Sequence, residues 1–125
     1  MTDRGSPAVR LTELLAHAAR GPRREGLFAI WLVVRAAEDG ILDPPLPPRL
    51  RARQLEALRH RLASLTLPAP VRRGVTSALA LLDDPAPGAS ATALNQLTAP
   101  AREALGAEAG DAIAAAARAV RAVKQ

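Results

Sequence analysis

Histidine is the side chain best suited to moving protons near neutral pH, and the chain carries two, His17 and His60. His17 stands four residues after Glu13, a spacing that puts an imidazole and a carboxylate on one helix face. A zinc or other transition-metal site needs three or four such ligands, so this pair reads as a surface contact. Glu38-Asp39 and Asp83-Asp84 are the adjacent carboxylate pairs. Either could hold a divalent cation only with oxygen ligands from another element. Both fall where helices are expected to stop, and they read as solvated or salt-bridged ends. Cysteine is absent, which removes thiolate nucleophiles, disulfides and sulfur metal sites together. No phosphate-binding glycine loop, dinucleotide fingerprint or nucleophile elbow occurs. The expectation is no catalytic residue, no metal and no cofactor.

Charge is more informative than catalysis. Sixteen of the seventeen basic residues are arginine, whose planar guanidinium pairs with two oxygens of a carboxylate or phosphate. Between residues 49 and 73 lie Arg49, Arg51, Arg53, Arg59, Arg61, Arg72 and Arg73, against the single acid Glu56. The rest of the chain holds ten basic residues against eleven acids, so the whole excess of +5 resides in this stretch. At 100° per residue, Arg49, Arg53 and His60 lie opposite the leucines of the same segment, while Arg59 and Arg61 flank them. These seven arginines are the candidate anion or nucleic-acid contacts. They would grip phosphates rather than read bases, because only Gln54 offers an amide in the segment. Phe28 and Trp31 are the only aromatics, too few for a wide base-stacking platform, and they are expected in the core. The competing reading of the stretch is a solvated helix face, with Glu56 paired to Arg53, Arg59 or His60.

Within it, Arg53-Gln-Leu-Glu-Ala-Leu-Arg-His60 resembles the Arg-x(4–6)-His motif of HEPN-type helical ribonucleases. The resemblance covers these eight residues. It implies RNA cleavage by the arginine and histidine at an interface between paired helical bundles.

The elements that must position these groups are helices. Alanine and leucine supply 29 and 19 of the 125 positions, and eleven prolines and eight glycines punctuate the chain. Ser6-Pro7 starts a first helix, with Leu11, Leu14, Leu15, Ala18 and Ala19 on one face and Gly21-Pro22 as its stop. A second, from about Arg23 to Asp39, is apolar on nearly all sides and is expected at the centre. Asp43-Pro-Pro-Leu-Pro-Pro48 is a stiff spacer, read as such in preference to a ligand for a proline-binding domain. The third helix runs from Pro48 to Leu65, and its Leu55, Leu58, Leu62 and Leu65 form a seam spaced as in a coiled coil. A seam within one bundle and a seam between two chains have the same pattern. A fourth helix carries Val71, Val75, Ala78, Leu79 and Leu82, with Arg72 and Arg73 at its start and Asp83 and Asp84 at its end, opposite to the preference of the helix dipole. A short helix over Ala91–Leu97 follows. Thr98 then caps a last segment opening at Ala99-Pro100, where Gly106 and Gly110 either divide the helix or allow close packing.

These readings predict an all-α, compact four- or five-helix bundle with Pro/Gly-rich connections. It is one domain over residues 1–125, with a tail at 1–6 and linkers at 43–48 and 84–90. The longest apolar run, Leu27 to Val34, is far too short for a membrane span, and the N-terminus lacks a secretory core, which points to the cytoplasm. The expected role is a non-enzymatic interaction module that offers the leucine seam to another protein or to its own copy. The alternative is backbone-directed nucleic-acid binding through the seven arginines.

Overall fold

Proline stands at the first or second position of four of the helices among the described residues. The computed structural model describes residues 7–38, 47–83 and 88–124, and within these six helices run in order: α1 Pro7–His17, α2 Pro22–Glu38, α3 Pro48–Ala63, α4 Ala69–Asp83, α5 Ala89–Leu105 and α6 Ala107–Lys124. Pro7, Pro22 and Pro48 occupy first helical positions and Pro70 a second, where the missing N–H has no helical partner to lose. Gly21 adopts a φ of +136°, which lets the chain turn from α1 directly into α2.

Helix α2 is the hub. Leu27, Ala29, Ile30, Val33 and Val34 are fully buried, because α1, α3, α5 and α6 surround this helix. Helices α5 and α6 fold back on one another about Gly106, whose φ of +108° is accessible to glycine and strained for other residues. Their interface is built from Leu94, Leu97, Ala101, Leu105, Ala109, Ala112, Ile113 and Ala116, all buried. At Gly110 a Cβ would lie 2.9 Å from Arg102, so the helices approach closely only because that position has no side chain. Helix α4 packs on α5 in the same manner, with Gly74 against Pro100.

All-α architecture matches the expectation; the count is six helices rather than four or five. The difference lies in the C-terminal third. Thr98 does not cap a new helix: its hydroxyl donates to the Leu94 carbonyl (3.2 Å), and α5 continues through Pro100 to Leu105. An interior proline costs about 3 kcal/mol. Here the loss is offset by keeping Leu94, Leu97, Ala101 and Leu105 on one buried face, and the Pro100 ring fills the space left by Gly74. The break falls at Gly106, and Gly110 allows close packing.

Other boundaries also move. Helix α3 ends at Ala63 with Ser64 as its C-cap, so Leu65 lies beyond the helix and is half-buried. Ala89 and Ser90, expected in a linker, belong to α5. The tail at 1–6 and residues 43–46 and 84–87 of the two linkers fall outside the described residues, as do Asp39 and Asp84. Phe28 and Trp31 lie at the edge of the core rather than inside it. Their rings stack on one another (centroids 5.8 Å apart, planes 11° apart), flanked by the guanidinium groups of Arg61 over Phe28 and Arg35 over Trp31.

Candidate functional site: an arginine-rimmed groove between α3 and α4

Helix α3 carries the leucine seam and most of the excess charge, and it packs with fewer close backbone approaches than its neighbours. Its leucines face inward. Leu55, Leu58 and Leu62 are buried and pack against the core of the single chain, so the seam as a whole faces this fold rather than standing free; only the edges of Leu58 and Leu62 reach the concavities beside α3. The physical reason is the hub helix, whose apolar circumference must be covered on the side that α1, α5 and α6 leave open.

The seven arginines separate into different environments. Arg51 is only 7% exposed and faces the same side as the leucines, which removes it from any accessible anion surface. Arg61 lies with its guanidinium 5.8 Å from the Phe28 ring centroid. Arg59 reaches across to α4 and donates to the Leu79 carbonyl (3.3 Å), placing positive charge near the C-terminal turns of a helix that has no basic residue there. Arg72 and Arg73 are exposed on α4 but diverge: Arg72 borders the α3–α4 side and Arg73 the α4–α5 side, beside Glu103. Arg49 and Arg53 remain exposed on the outer face of α3 together with His60.

Of the seven, Arg59 and Arg72, from different helices, line a common concavity. This is a groove of about 480 Å³ with Leu62, Leu67, Val75 and Leu79 as its apolar floor and Ala63, Thr76 and Ala80 along its sides. Its volume lies within the roughly 300–1,000 Å³ of small-molecule sites. Glu25 of α2 braces the connection that carries Leu67, accepting a hydrogen bond from the Thr66 N–H at 2.6 Å. Thr66, Leu67 and this brace were not singled out from the sequence. The one available signal is that Val75 and Leu79 lie on the apolar stripe of α4 next to Arg72, a combination that a buried stripe shares.

Glu13 and His17 are both exposed on α1, and among the described residues no group of three or more His, Cys, Asp or Glu side chains is disposed to hold a metal ion. Among the described residues, no helix is long and apolar enough to cross a membrane.

Fold and groove together define a class: an all-α protein, with six helices among the described residues, whose concave face combines an apolar floor with two guanidinium groups. Comparison with protein-family models, with curated proteins and with solved structures finds no match for the chain.

Proposed function

We propose that the chain is a non-enzymatic interaction module that binds another protein, and that the α3–α4 groove receives an acidic amphipathic helix of that partner. One observation carries this reading: the apolar floor of Leu62, Leu67, Val75 and Leu79 shares its groove with Arg59 and Arg72, two arginines of the stretch that holds all of the chain's excess positive charge. An incoming helix would lay leucine-like side chains on the floor and glutamates or aspartates against the guanidinium groups. A second copy of the chain is a poorer occupant, because like charges would meet at +5 each.

The backbone-directed nucleic-acid reading has less support. Burial of Arg51 and the divergence of Arg61, Arg72 and Arg73 leave no single stripe of seven arginines. The ribonuclease reading rests on Arg53 and His60 alone, which share the exposed outer face of α3.

Titration of a labelled helical peptide with leucines at a/d positions and glutamates beside them tests the proposal. Binding should be saturable, and Arg72→Glu and the groove-filling Ala80→Trp should each weaken it by about tenfold or more. Peptide binding that neither variant weakens would overturn it. So would binding only to mixed-sequence RNA, with a steep loss between about 50 and 200 mM salt that follows Arg49→Glu and Arg53→Glu.

A further inference from the structure

We propose a second binding site, independent of the α3–α4 groove: the cleft between the end of α1 and the first turns of α2 takes a small organic anion, a carboxylate on an apolar body. The cleft measures about 660 Å³ and is lined by Leu15, Arg20, Gly21, Arg24, Glu25 and Phe28. Its volume is that of a small-molecule site.

The lining has two chemistries in two places. Leu15 from α1 and the Phe28 ring from α2 are half-buried and supply an apolar floor. Arg20 and Arg24 are exposed, one on either side of the Gly21-Pro22 turn, and supply two guanidinium groups at the rim. Glu25 is the only acid in the lining, and its carboxylate already accepts the Thr66 N–H. Arg23, which stands between the two rim arginines in sequence, is turned away to the Leu105 carbonyl at 2.9 Å. The Arg61 guanidinium over Phe28 adds a third positive group next to the cleft.

Two backbone features favour an anion further. The cleft lies at the N-terminus of the 17-residue α2, whose dipole is positive there. Gly21 has open space where a Cβ would stand, so no side chain blocks the entrance at the turn. With two guanidinium groups against one carboxylate, the lining is net positive and favours anions over cations. A neutral apolar molecule gains the floor and leaves the guanidinium groups unused.

Trp31 is the only tryptophan, the chain has no tyrosine, and its ring stacks on Phe28, so intrinsic emission reports on the floor of the cleft. The full chain is titrated with decanoate kept below its micelle concentration, at constant ionic strength. Decanol, decyltrimethylammonium and vesicles of anionic phospholipid are titrated in parallel. The expected result is a saturable emission change with decanoate that is weaker by about tenfold or more with decanol and absent with the cation. Arg20→Gln and Arg24→Gln should each weaken decanoate binding by about tenfold, while Arg118→Gln on α6 leaves it unchanged. Both rim arginines are exposed, and equal thermal midpoints check that each variant folds; either alone suffices for the test. Equal affinity for decanol, indifference to both rim substitutions, or a response to vesicles alone would overturn the proposal.

Discussion

Helices α4, α5 and α6 meet through glycine, proline and alanine, whereas α3 stands off its neighbours on leucine, arginine and aromatic side chains. Short side chains bring backbones together, and the concavity of about 320 Å³ that remains between α4 and α5 has a largely polar rim of Arg73, Ser77, Gln96 and Glu103. Long side chains that bridge rather than interdigitate leave concavities with apolar floors, and α3 has one on each side: about 480 Å³ against α4, over Leu62, Leu67, Val75 and Leu79, and about 290 Å³ against α2, over Trp31, Leu32 and Leu58. The comparison separates a scaffold from a surface. The alanine-rich half supplies rigidity, and the helix that carries the charge is held in a way that keeps binding volume open.

Matched truncations put this difference at its largest. Leu97→Ala in α5 removes a side chain with no exposure from the close-packed half, and it should cost toward the top of the roughly 2–5 kcal/mol known for such changes. Leu58→Ala in α3 deletes the same atoms at 8% exposure, beside the α2–α3 groove into which neighbours can relax, and should fall toward the bottom of that range. Urea midpoints at unchanged m-value measure both. Equal losses would break the distinction. Gly74→Val is the next largest effect, because the added side chain meets the rigid Pro100 ring, whose nearest atom is 2.9 Å from the position of the new Cβ. Overpacking of this kind costs about 1–3 kcal/mol. Gly21→Ala in the open turn is strained through φ alone and should not reproduce a packing clash.

Much of the fold was legible in local sequence. The prolines at the starts of α1 and α3, the Gly21-Pro22 break between α1 and α2 and the unbroken apolar run Leu27–Val34 locate those helices and the hub, because punctuation and all-round burial act within a few residues. Helix α5 was not legible for a non-local reason. Thr98-Ala-Pro100 contains the ordinary signals of a helix start, and only the presence of Gly74 on a different helix makes room for the proline ring in mid-helix. The candidate site was legible as a charged region and not as a groove. Leucine spacing in α3 is the same whether the seam meets its own core or another chain. Whether Arg51 points in and Arg59 reaches across to Leu79 depends on where α4 lies.

A smaller effect sharpens the scaffold side. Arg23 donates to the Leu105 carbonyl at the last turn of α5, tying the hub to the hinge at Gly106. Arg23→Gln removes a charge-assisted hydrogen bond and a cation at a helix C-terminus, for a loss of about 1 kcal/mol. Faster amide exchange in the last turn of α5, with α3 unaffected, is the expected signature; a change confined to α3 would contradict the assignment of Arg23 to the scaffold.

The smallest effect belongs to the ion pair that spans the same hinge. Arg102 and Asp111 meet at 2.8 Å across the α5–α6 turn, with side chains 50% and 66% exposed. Water screens a pair so exposed, and holding two side chains in one geometry costs entropy, so the coupling in a double-mutant cycle of Arg102→Gln and Asp111→Asn should lie between about 0 and 1 kcal/mol. The pair nevertheless sits where Gly110 lets Arg102 lie flat along α6, within 2.9 Å of where a Cβ would stand. Gly110→Ala should therefore destabilise the hairpin by more than the ion-pair cycle does, because it displaces the aliphatic stem of Arg102 as well as its charge. A coupling energy larger than the Gly110→Ala loss would mean that charge, and not the absence of a side chain, holds this half of the molecule together.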